Sequence, residues 1–172
     1  MTLRFDEFYV RSLRLAYDAE RQLADVLPRW VQQHPMAPCE ALLTRLAREA
    51  GEQLRRLETV FRELYQQPRA EPCWPVSALL REAEEYSELG ADDFACCGVA
   101  ASLLAIKRLQ ITRYEALMAW SIECGLDEAV PLLRRALAEA LVAAEALGTL
   151  AFGMPGRPSR HVPASRDTGE TV

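Results

Sequence analysis

Four glutamates carry the chemical interest of this sequence: Glu20, Glu49, Glu52 and Glu139. Glu20 interrupts an apolar stripe. Tyr9, Leu13, Ala16, Leu23, Leu27 and Trp30 recur at alternating helical spacings of four and three, and Glu20 stands where the pattern calls for another apolar residue. A carboxylate on such a seam must be paired, hydrogen-bonded or bound to a cation. Glu49 and Glu52 are three apart, a spacing that lets both reach one ion. In helical bundles that hold two metal ions, two helices each give a Glu and the other two each give a Glu-x-x-His pair. Carboxylates there neutralise the cations, and imidazoles serve as neutral ligands. Carboxylates alone would favour a hard ion such as Mn, Mg or Ca.

The same region has an alternative reading without metal. The sequence contains no Glu-x-x-His, and its two histidines, His34 and His161, fall in an inter-helix break and in the tail. Lys107, Arg108 and Gln110 stand where acidic or imidazole ligands are wanted. A cation there opposes metal binding and offers Glu20 a partner. A core polar network of Glu20, Arg108 and Gln110 is therefore the competing expectation. By default Glu49, Glu52 and Glu139 are ordinary helix flanks, and Lys107-Arg108 is a solvated pair.

Four long helices and one short one must position these groups. The first runs from about Arg4 to Gln33, with Pro28 expected to kink or loosen its last turn. His34-Pro35-Met36-Ala37-Pro38 is a break. The second spans about Cys39 to Gln66, with a seam at Leu43, Leu46, Ala50, Leu54, Leu57, Phe61 and Leu64. A proline-rich loop follows, in which Trp74 is expected to plug the end of the bundle. A short Glu-rich helix then covers about Val76 to Leu89. The third long helix, about Asp92 to Cys124, is the most apolar, with Gly125 as its C-terminal cap. The fourth covers about Glu128 to Phe152, with Asp127 as its expected N-cap. Glu20 precedes Glu49 by 29 residues, and Gln110 precedes Glu139 by 29, as in a repeated helical hairpin. The expectation is one all-α four-helix bundle over residues 1–152, with one additional short helix and a flexible tail at 153–172.

Composition narrows the function classes. A chain of 172 residues can bury a real core, and half of it is hydrophobic. The net charge of −5 gives no reason to expect nucleic acid or an anionic membrane as partner. No leader segment and no membrane-length apolar run are read. The five cysteines, Cys39, Cys73, Cys96, Cys97 and Cys124, show no CxxC spacing and read as reduced cytoplasmic thiols. Cys96 and Cys97 are adjacent, and two apolar core thiols are the default reading over a vicinal redox pair. No nucleophile–base pair can be argued, since neither histidine lies on a helix.

The chain also resembles a known family. Tyr17-Asp18-Ala19-Glu20-Arg21-Gln22-Leu23 followed by Leu27-Pro28 is similar to the opening motif of the YciE/YciF family of bacterial ferritin-like, stress-associated proteins. Glu49-Ala50-Gly51-Glu52-Gln53-Leu54-Arg55-Arg56-Leu57-Glu58 resembles that family's second-helix motif, and Cys73, Tyr114, Gly125-Leu126-Asp127-Glu128-Ala129 and Leu137-Ala138-Glu139 follow in its order. The resemblance covers about Asp6 to Ala151. It implies a ferritin-like antiparallel four-helix bundle, commonly dimeric, with a di-metal carboxylate centre. The departures fall on the ligands. Leu46 stands where the family usually has His, Lys107-Arg108-Leu109-Gln110 where it reads Glu-His-x-Glu, and Ala140 and Ala144 where it has further acids. The expected protein is thus a divergent, non-catalytic, cytoplasmic bundle without a cofactor, forming a homodimer or binding another protein. The alternative is an iron or manganese protein with oxidase- or peroxidase-like activity.

Overall fold

The computed structural model describes residues 3–33, 39–90 and 92–153. His34 and His161 lie outside these, as does the expected flexible tail from residue 154 on. Five helices follow one another: α1 (Leu3–Gln33), α2 (Glu40–Glu63), α3 (Trp74–Glu88), α4 (Asp93–Cys124) and α5 (Ala129–Phe152). Among the described residues there is no strand. The architecture is an all-α bundle with α3 as the additional short helix.

Cross-helix bonds give the register. Tyr9 meets Ser121 and Glu20 meets Gln110, so eleven residues forward on α1 correspond to eleven back on α4. Glu63 reaches Glu128, and Arg56 reaches Glu139, so α2 and α5 are antiparallel as well. On α3 and α4, Glu82 bonds to Ser102 while the Tyr86 ring lies on Gly98. A Cβ at Gly98 would come within 2.5 Å of that ring, so the missing side chain is what lets α3 settle there.

The predicted stripe of α1 is the buried one: Tyr9, Leu13, Ala16, Leu23, Leu27 and Trp30 all face the core. Pro28 sits exposed inside α1, and the helix continues past it to Gln33. α4 is apolar around most of its circumference. One 18-residue stretch has the length and hydropathy of a membrane span, and 61% of it is buried among the other helices. Asp92 caps α4 by accepting from the Ala95 amide at 2.9 Å, and Gly125 ends it in the left-handed conformation (φ 66°).

Two local expectations are corrected. Trp74 does not plug the bundle; it is 73% exposed, while Cys73 beside it is fully buried. The reason is an anchor: buried Asp18 accepts from the Cys73 amide at 2.8 Å and turns Trp74 outward. Asp127 does not cap α5 either. That helix begins at Ala129 with no side-chain cap of its own, and the Glu128 amide donates to Glu63 Oε1 of α2 at 3.1 Å.

Candidate functional site: a charged core seam

Helix phase brings Glu20 into the centre of the bundle, where it has no solvent exposure. On α4, Leu103, Lys107, Gln110, Tyr114, Leu117 and Ser121 follow the same alternation of four and three, and all six are buried. Two of them meet the carboxylate. Gln110 Nε2 donates to Glu20 Oε1 at 2.7 Å, and the Tyr114 hydroxyl donates to the same oxygen. Glu20 Oε2 and Gln110 Oε1 are buried with no hydrogen-bond partner.

Burial pushes the Glu20 carboxyl above its ordinary range, while the Lys107 ammonium and the two hydrogen bonds act against that shift. Lys107 is only 4% exposed and lies one turn before Gln110. It acts on Glu49 too. That carboxyl is also raised by burial, with Arg45 and Lys107 opposing and Glu139 adding to the shift. Burial, followed by the negative charge of Glu20, holds the Tyr114 phenol well above its ordinary value. At the far end of the seam, burial pushes Tyr9 up to about 12 despite its 2.7 Å hydrogen bond with Ser121.

Arg108 is not part of this network. It is exposed, and the buried cation is its neighbour Lys107. Adjacent helical residues diverge by about 100°, so only one of the two can face Glu20. The sequence already held the deciding signal: 107, not 108, continues the alternation through 103, 110 and 114. Tyr114 sits on the same series, where its hydroxyl is the feature that spacing alone does not aim.

The remaining glutamates occupy the α2–α5 seam. Arg56 NH1 and NH2 donate to both oxygens of Glu139 at 2.6 and 2.9 Å, and Gln53 Nε2 adds a bond at 2.9 Å. Arg135 Nε reaches Glu139 at 3.1 Å. Glu52 pairs with Arg56 at 3.2 Å, and Glu49 with Arg45 at 3.4 Å. Each of the three carboxylates is thus held against a guanidinium.

A pair of metal ions would need free bridging carboxylates and neutral ligands. The residues here match that demand poorly. Glu139 takes four hydrogen bonds from three side chains, one carboxylate oxygen of Glu20 is taken by Gln110 and Tyr114, and a buried lysine lies on the same seam. Among the described residues no three His, Cys, Asp or Glu side chains form a group able to hold a metal ion.

A second polar centre, unforeseen from the sequence, lies on the other flank of α1. Asp18 is 2% exposed and accepts from Arg21 at 2.8 Å, Gln22 at 2.6 Å and the Cys73 amide at 2.8 Å. Burial alone would raise this carboxyl, but those hydrogen bonds outweigh it and hold Asp18 below its ordinary value. Ser77 Oγ donates to Gln22 Oε1 at 2.8 Å, extending the clamp into α3.

Residues 4–154 match the family described as a domain of unknown function, DUF892. Two solved structures share the fold. YcfI from Rhodopseudomonas palustris, provisionally described as a structural protein, is 31% identical, with 87% of this chain and 94% of that one aligned at a TM-score of 0.76. The stress protein YciF from E. coli is 20% identical, with 86% and 94% aligned at a TM-score of 0.77. No curated protein matches the sequence significantly.

Proposed function

Because this chain belongs to the DUF892 family, we propose that it is a divergent ferritin-like bundle in which protein groups occupy the place of a di-metal centre. It acts without catalysis, by assembling with itself or by binding another protein under stress. We further propose a homodimer in the cytoplasm.

The single observation that carries this reading is the pair of hydrogen bonds that Gln110 and Tyr114 donate to Glu20 in the core. Lys107, buried one turn before Gln110, adds positive charge on the same seam. A core carboxylate then needs no metal for compensation. Two further points support the reading. The YciF fold is that of a stress protein, and the more similar YcfI carries a structural description.

Metal analysis of protein purified from iron- and manganese-supplemented cells tests it. The expected result is far less than one ion per chain, unchanged in Glu20→Ala, with light scattering giving an assembled species. Two metal ions per chain, lost in Glu20→Ala, would overturn the proposal in favour of an iron or manganese protein.

A further inference from the structure

Helix α5 carries four charged side chains, Arg134, Arg135, Glu139 and Glu145, and they divide into two kinds. Arg135 and Glu139 pair with each other at 3.1 Å, and Arg56 of α2 joins them. Arg134 and Glu145 are exposed, and among the described residues neither side chain has an ion-pair or hydrogen-bond partner. Eleven residues of one helix hold these two about 16 Å apart along its axis, so they cannot meet each other.

Both charges stand on a single outward seam. Arg134, Ala138, Leu141, Glu145, Gly148 and Phe152 recur at alternating spacings of four and three. The rest of the seam is apolar: Leu141 is 48% exposed and Phe152 76%, with Val142 beside them at 57%. The flank toward α4 is free of long side chains at this level. Exposed Ala101 lies there, on the helical row between Cys97, which bonds to the Leu150 carbonyl, and Leu104, which packs beside Gly148.

Turned end for end about a point between Glu139 and Ala140, this seam falls on itself. Ala138 then lies opposite Leu141, and Arg134 lies opposite Glu145. A two-fold axis through that point creates the same relation between two chains. Each unpaired arginine meets the partner's Glu145, twice per dimer, and small Ala138 makes room for the leucine. A parallel pairing would instead set arginine against arginine and glutamate against glutamate, so the charges select the antiparallel one.

We propose that a second copy of this chain docks on this face, α5 against α5 and antiparallel, with Arg134 and Glu145 as reciprocal ion pairs across the axis. The inference rests on the homodimer proposed above and specifies its surface.

Sedimentation equilibrium of the full chain tests it, with Arg134→Glu, Glu145→Arg and the two combined. Each single variant opposes like charges at both contacts of its own dimer and should weaken it roughly tenfold or more. The double variant exchanges the signs and should return to within about threefold of the unaltered chain. An equimolar mixture of the two single variants again opposes unlike charges, and should associate more tightly than either variant alone. Circular dichroism checks that the variants fold. Should one not, Leu141→Lys on the same seam takes its place and should weaken the dimer as well. A dimer whose strength the variants leave unchanged, or a double variant no tighter than the singles, overturns this surface and leaves the homodimer standing. An unaltered chain that stays monomeric overturns both.

Discussion

Arg56 on α2 holds Glu139 on α5 with both arms of its guanidinium, at 2.6 and 2.9 Å, and with only 13% of its own side chain exposed. This fork ties the second helix to the last across the face where α2 and α5 meet. A lysine carries the same charge but cannot make two parallel bonds. Arg56→Lys is therefore expected to lower stability measurably, and Arg56→Ala by about 1–3 kcal/mol, more than an exposed ion pair is worth. Urea unfolding reads both, through a lower midpoint at an unchanged slope.

The Glu20 seam makes a sharper prediction through a double substitution. Glu20→Ala removes the acceptor for Gln110 and Tyr114 and leaves the Lys107 cation without it. The expected cost is about 1–3 kcal/mol, the range for leaving buried hydrogen-bonding groups without their acceptor. Removing both charges with Glu20→Gln and Lys107→Met keeps the side-chain volume close to the original. That double variant should recover most of the loss or exceed the unaltered protein. Denaturation of Glu20→Gln, of Lys107→Met and of the double variant supplies the coupling.

Asp18 and Glu20 impose opposite pH dependences, although they stand two residues apart. Asp18 is held below its ordinary value, so the stability it contributes is present above the unfolded aspartate pKa of about 3.9 and is lost as pH falls through the folded value. The gap between the protein and Asp18→Asn should shrink on acidification. Glu20 is raised by burial, so its folded form favours the proton, and its ionisation costs stability as pH rises past the ordinary glutamate value of about 4.3. Relative to the unaltered protein, Glu20→Gln should gain on the alkaline side. Unfolding midpoints measured at a series of pH values separate the two trends.

The thiols should divide into two reactivity classes. Cys39, Cys73 and Cys96 are buried, whereas Cys97 and Cys124 are partly accessible. The neighbouring Cys96 thiol, and then burial, push the Cys39 thiol far up, which suppresses its thiolate. Timed alkylation of the folded protein with peptide mass analysis should label Cys97 and Cys124 first. Early labelling of Cys39 would contradict this packing.

The apolar alternation of α1 was enough to put Glu20 in the core and to suggest Gln110 as its neighbour, because both follow the spacing of buried seams. The choice between Lys107 and Arg108 lay in the same alternation, since 107 continues the series and 108 leaves it. One residue of helical phase moves a cation from the interior to the surface. Glu139 read by default as an ordinary helix flank, and its grip by Arg56 joins residues 83 positions apart. The same distance in sequence hides the Asp18 anchor on Cys73, 55 residues away, and with it the outward turn of Trp74. Local pattern reports which face is buried, while pairings between faces depend on a register that only the assembled bundle sets.

The bond from the Glu128 amide to Glu63 bears on how the molecule folds. The last helix starts without a side-chain cap of its own, and the first hairpin lends it one. The two halves, similar as they are in spacing, are therefore not interchangeable modules. Excised from its partner, the α4–α5 hairpin would lose this acceptor, and the first turn of α5 would turn to solvent for it.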